Sequence, residues 1–199
     1  MPGDADVAAP VHGRYEVRLS GSGGQGLILA AVILAEAAVV SGKEVVQTQS
    51  YGPEARGGAS QAAVIMSDEE IDYPEVESAD LTLCLSQAAF DAFAPQARPG
   101  GVVLYDDGLV TPDAAGQTRL LGLPFTQVAE HEAGTKMAAN VVALGAIASV
   151  ASVVERDALA ESLRRRLPER LLAANLRALD AGAALPAEAI QPRGSAGLA

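Results

Sequence analysis

Two short segments hold the residues whose types and spacing could do chemistry. The first is Gly21-Ser22-Gly23-Gly24-Gln25-Gly26, with glycines in a Gly-x-Gly-x-x-Gly pattern. Glycines there permit a tight turn, and the backbone N–H groups of a following helix favour an anion. The second is Tyr51-Gly52-Pro53-Glu54-Ala55-Arg56-Gly57-Gly58. It fixes one acid and one permanently charged, planar guanidinium between a proline and two glycines. Arginine in that setting suits a carboxylate or a phosphate. A Glu54–Arg56 surface pair alone would be worth only about 0–1 kcal/mol.

Neither segment completes a known nucleotide motif by itself. A dinucleotide site needs an acid at the end of the second strand, where the chain reads Gln47-Thr48-Gln49-Ser50. Glu44 stands at the wrong end. No Gly-Lys-Ser/Thr follows the glycines, so this is not a Walker loop. The glycines therefore serve an anion, a subunit contact, or simply close packing of the helix on the sheet. Elsewhere, His12 lies in the N-terminal lead and His131 between two glutamates, where it reads as solvated or capping. The one cysteine, Cys84, sits in the apolar run LTLCLS and reads as a small buried hydrophobe. With one cysteine there is no intramolecular disulfide and no cluster-binding motif. There is no HExxH, nucleophile elbow or Cys/His pair.

The elements that would position these segments follow from periodicity. Residues 15–21 alternate as a strand, and the glycines open an apolar helix reaching about Ser41, stopped by Gly42. Residues 44–51 form a second strand, expected to pair in parallel with the first through the crossover helix. Residues 59–67 alternate again, and 68–77, with six acids, are surface. Residues 79–86 and 102–107 are buried strands, with a helix over 87–97 and a turn at Pro99-Gly100-Gly101 between them. A further strand is placed at 117–125. From about Glu130 the pattern is helical: a long small-residue helix over 135–154, one over 156–168 with Asp157 as N-cap, and one over 169–185. The fold expected is α/β: a Rossmann-like, mostly parallel sheet flanked by helices, with a helical C-terminal extension. Residues 1–13 are expected to be a flexible lead, 14–185 a single α/β domain, and 186–199 a tail.

The formal charge of −11 argues against nucleic acid, whose phosphates need a basic surface to neutralise them. The composition is 49% hydrophobic without tryptophan, so the core must be aliphatic. The most apolar run, 27–40, is too short for a membrane span, and the N-terminus carries early acids unlike a signal peptide. A cytoplasmic protein is expected.

Three stretches, GSGGQGLILAAVILAEAA, TQSYGPEARGGASQAAVIMSDEEIDYPEVESADLTLCLSQAAFD and RPGGVVLYDD, closely resemble the gamma subunit of 2-oxoacid:ferredoxin oxidoreductases. The resemblance covers about residues 15–150, and the YGPEARGG wording is nearer the 2-oxoglutarate type. Ser22 and Ala31 depart from the family pattern without removing a fingerprint glycine. The resemblance implies a holoenzyme that decarboxylates a 2-oxoacid (2-oxoglutarate, pyruvate or an aryl-glyoxylate such as phenylglyoxylate) to an acyl-CoA and passes electrons to ferredoxin or another acceptor. It implies thiamine diphosphate and Mg²⁺ between alpha and beta subunits, and [4Fe–4S] clusters in a ferredoxin-like delta subunit, none of them bound by this chain alone. In that context Gly21, Ser22, Gly23, Gly24, Gln25 and Gly26 are a candidate coenzyme A or anion loop. Tyr51, Gly52, Pro53, Glu54, Arg56, Gly57 and Gly58 become candidates for a subunit interface or an active-site edge. No catalytic residue or metal ligand is assigned to this chain. The alternative is a stand-alone nucleotide-binding or regulatory Rossmann-like module.

Overall fold

A computed structural model describes residues 13–50, 59–113 and 118–190. Along the chain run β1 (Arg14–Ser22), α1 (Leu27–Val40), β2 (Glu44–Ser50), β3 (Ala59–Ser67), β4 (Ala79–Cys84), α2 (Gln87–Phe93) and β5 (Ala97–Asp106). Then follow β6 (Arg119–Leu123), α3 (Phe125–Ala133), α4 (Ala139–Ala151), α5 (Arg156–Arg166) and α6 (Glu169–Ile190). The strands form one sheet in the order β2-β3-β1-β4-β5-β6. β1, β4, β5 and β6 pair in parallel, whereas β3 runs antiparallel to both of its neighbours.

The expected parallel pair of β1 and β2 is therefore corrected. The two strands point the same way, but β3 lies between them. Side-chain chemistry accounts for this. β3 offers buried Ala62, Val64, Ile65 and Met66, with Val64 and Met66 on one face and Ile65 on the other. A strand that is apolar on both faces belongs inside a sheet. β2, with Gln47, Thr48, Gln49 and Ser50, is the more polar strand and takes the edge.

The thicker layer covers one face of the sheet. There α1, α4, α5 and α6 bury Val17, Leu19, Leu81, Leu83 and Leu104 together with Ile33, Leu34, Val142, Leu144, Ile147, Leu159 and Leu179. Each fully buried aliphatic side chain of this kind contributes about 1.5–3 kcal/mol. Alanines 30, 31, 37 and 38 give α1 a thin inner surface. On the opposite face, α2 closes a smaller cluster of Cys84, Phe90, Ala94, Val103 and Val110. Phe90 meets Tyr105 edge-on at 5.7 Å.

Four local expectations change. Pro99-Gly100-Gly101 does not turn the chain but lies within β5, where the pairing with β4 shifts register between Ala79 and Leu81. Helix begins at Phe125 rather than near Glu130, and the expected 135–154 helix is divided: α3 stops at Gly134, a 3-10 turn spans Lys136–Ala138, and α4 ends at Ser152. The N-cap of α5 is Glu155, with Asp157 in its first turn beside Arg156 (2.9 Å). α6 continues through the buried Pro186 to Ile190, into the stretch expected as tail. No single described helix is long and apolar enough to cross a membrane.

Candidate functional site

The glycine turn sits at the carboxyl end of β1, the edge at which open α/β sheets hold ligands. Gln25 organises it. Its Oε1 accepts from the Ser22 backbone N–H at 2.6 Å, and its Nε2 donates to the Leu85 carbonyl at 2.8 Å, just beyond β4. The Leu85 N–H donates back to the Ser20 carbonyl (2.9 Å). From β3, the Ser60 hydroxyl donates to the Gly21 carbonyl (3.2 Å). The side chain expected as part of a ligand loop is thus a brace between adjacent parallel strands.

Gly26 is the N-cap of α1, in the left-handed region at φ 71°, and no side chain caps this helix. The first helical N–H groups are left for an outside acceptor, which the helix dipole prefers to be negative. The Gly26 carbonyl accepts twice, from the Ala30 N–H at 3.0 Å and from Asn140 Nδ2 at 3.0 Å. Asn140, in the first turn of α4, is a buried polar residue in an otherwise apolar run. Its isolation as the one polar residue in MAANVVALG is the signal in the sequence that marks it. Ser22 to Ile28 with Ser60 and Gln61 enclose a cavity of about 340 Å³. Of the glycine-turn residues, Ser22, Gly23, Gly24, Gln25 and Gly26 line this cavity, whereas Gly21 stands within β1 and does not.

Tyr51, Gly52, Pro53, Glu54, Arg56, Gly57 and Gly58 lie outside the described residues. Their flanks are fixed, however. Ala59 pairs with Ser22, and Ser50 with Gln61, so the segment leaves and rejoins the sheet at the edge that carries the glycine turn.

His131 is exposed and pairs with the adjacent Glu132 (2.8 Å); His12 lies outside the described residues. Among the described residues no group of three or more His, Cys, Asp or Glu side chains could hold a metal ion. Cys84 is fully buried, and burial pushes its thiol up to about 12, against the weaker lowering influence of the Ser20 hydroxyl, whose Oγ lies 3.6 Å from Sγ. Since the thiolate is the nucleophile, Cys84 should resist alkylation in the folded chain. At pH 8, iodoacetamide labelling is expected to be about a thousandfold slower than in urea. Equal rates, read by mass spectrometry, would contradict its burial.

The sequence profile of the pyruvate ferredoxin/flavodoxin oxidoreductase family matches residues 16–185. The 2-oxoglutarate synthase subunit KorC of Methanocaldococcus jannaschii is 44% identical over 172 residues, covering 85% of this chain and 92% of the relative. The crystal structure of a keto/oxoacid ferredoxin oxidoreductase gamma subunit from Geobacter sulfurreducens superposes with a TM-score of 0.82 at 42% identity, over 89% of this chain and 98% of that one. A 2-oxoglutarate:ferredoxin oxidoreductase from Magnetococcus marinus, with 2-oxoglutarate, coenzyme A and succinyl-CoA bound, superposes with a TM-score of 0.79 at 27% identity, over 88% of this chain and 31% of that one.

Proposed function

Because this chain belongs to the pyruvate ferredoxin/flavodoxin oxidoreductase family, we propose that it serves as the gamma subunit of a cytoplasmic 2-oxoacid:ferredoxin oxidoreductase of the 2-oxoglutarate type. The substrate class is supported by the KorC relative and by the solved oxidoreductase whose structure holds 2-oxoglutarate and coenzyme A. The observation that carries the reading is the braced glycine turn. An uncapped helix start opens beside a cavity of about 340 Å³, at the sheet edge where the Tyr51–Gly58 segment joins. An acyl-CoA-forming enzyme needs a place for the phosphates of coenzyme A, and N–H donors at a helix start suit them.

The donor set does not fit the redox cofactors that the holoenzyme implies. An iron–sulfur cluster takes several thiolates, and this chain has one cysteine, fully buried in the sheet. No step through a cluster or thiamine diphosphate is assigned to its residues. Those groups belong to alpha, beta and delta partners, and the chain's part is to complete the coenzyme A side of the assembled enzyme.

The test is native purification through a tag on this chain. Thiamine-binding and ferredoxin-like chains should co-purify, and the complex should reduce viologen with 2-oxoglutarate and coenzyme A. The isolated chain should be inert in the same assay. In the assembled enzyme, Arg56→Ala should raise the apparent KM for coenzyme A tenfold to a hundredfold. That corresponds to losing a charge-assisted hydrogen bond worth on the order of 1.5–3 kcal/mol. Subunit composition and cluster content should not change. A chain that purifies alone and binds nucleotide would favour the stand-alone module instead. An Arg56→Ala enzyme identical to its parent would remove that arginine from the site.

A further inference from the structure

Arg18 lies in mid β1 yet is only 3% exposed. Its Nη2 donates to the Val76 carbonyl at 2.8 Å, and its guanidinium carbon stands 5.5 Å from the centre of the Phe93 ring. Nε and Nη1 have no hydrogen-bond partner. Burial lowers its pKa, and Glu16, two residues along the same face of β1, acts in the opposite sense. The Glu16 carboxylate is itself engaged by Arg14 at 2.7 Å. Arginine stays protonated even so. A buried cation with unused donors is costly unless an acceptor reaches it.

The surroundings are built to admit one. Arg18 pairs with Ala63, and Ala63 with Thr48; in the next row Ser20 pairs with Gln61, and Gln61 with Ser50. Alternation puts Arg18, Thr48, Gln61 and Ser50 on one face of the sheet. Ala63, with only a methyl group, leaves space between Arg18 and Thr48. The result is a pocket of about 300 Å³, roofed by Pro74, Glu75 and Val76. Glu75 adds a negative charge at the rim, but its carboxylate accepts from the Tyr73 hydroxyl (3.0 Å). Hydroxyls and an amide around a buried guanidinium select an acceptor with negative charge. The volume is at the small end of ligand pockets, enough for a short acid or a phosphate group.

We propose that this pocket binds a small oxyanion, a carboxylate or a phosphate, with Arg18 as its charge partner and Thr48, Ser50 and Gln61 as neutral donors. The site rests on this chain alone and does not depend on the assembly proposed above. Titration calorimetry and thermal unfolding of the full chain test it, with inorganic phosphate and glutarate as probes and sodium chloride at matched ionic strength as control. Saturable binding of at least one probe is expected, with a rise in Tm that chloride does not reproduce. Phosphate alone would identify a phosphate site, and glutarate alone a carboxylate site. Arg18→Met should weaken binding about tenfold or more. Thr48→Val, an exposed replacement, should weaken it several-fold without moving the Tm of the free chain. Should Arg18→Met fail to fold, Thr48→Val and Arg18→Lys decide the matter. No binding of either probe, a Tm rise that follows ionic strength alone, or affinities unchanged in the folded variants would each overturn the site.

Discussion

Gly145→Ala is expected to destabilise the chain by about 3 kcal/mol, and Gly145→Val by more. A β-carbon at Gly145 in α4 would run into the Leu179 carbonyl oxygen and the Ala183 nitrogen of α6. The reciprocal contact is as close, because a β-carbon at Gly182 would run into the Val142 carbonyl. These obstacles are backbone atoms, so no rotamer change relieves them. The helices would have to separate, drawing Val142, Leu144 and Ile147 away from Leu179 within the main core. The sign of the effect is diagnostic. In a helix free of such contacts, glycine to alanine would stabilise by about 1 kcal/mol through propensity alone. Urea unfolding followed by circular dichroism measures the difference; a stabilised Gly145→Ala chain would mean that the two helices do not meet backbone to backbone. The same closeness explains a run that reads ambiguously in sequence. The stretch 135–154 is so rich in small residues that it suggests an external interface, whereas the fold spends the 139–151 part of it inside, against α6.

That example indicates where the sequence is legible. Strands and helices with regular spacing were readable to within a few residues, because alternation and 3.6-residue periodicity report burial directly. β1, α1, β2, β3 and β4 all fall where the pattern places them. Strand order was not readable from the β1-α1-β2 unit alone. It depends on which of two successive strands is apolar on both faces, and this places β3 inside β2. Helix ends were misread where left-handed residues act without an obvious stop signal, as at Ser152 with φ 52°. In the site, the glycines were legible because few residue types can make that turn. Their supports were not. Asn140 lies 114 positions from Gly26, and Leu85 lies 60 from Gln25. Arg18 falls at a polar position of the alternating run 15–21, and only the fold shows Phe93 and Val76 closing over it.

The turn at Gly26 gives the second large effect, and it separates backbone conformation from packing. Gly26→Ala is expected to cost roughly 2–5 kcal/mol. About 1–2 kcal/mol comes from holding an L-residue in the left-handed region, where Gly26 sits at φ 71°. About 1–3 kcal/mol comes from Asn140, whose Nδ2 occupies the space that a β-carbon at position 26 would take. Asn140 would have to swing away, giving up its 3.0 Å bond to the Gly26 carbonyl inside a buried environment. The two contributions can be isolated by a double-mutant cycle. Asn140→Ala alone removes the bond and should destabilise. In that background Gly26→Ala meets no obstructing amide, so its cost should fall to the conformational part, about 1–2 kcal/mol. The coupling between the positions is then the packing term. Equal costs in both backgrounds would show that Asn140 does not press on the turn.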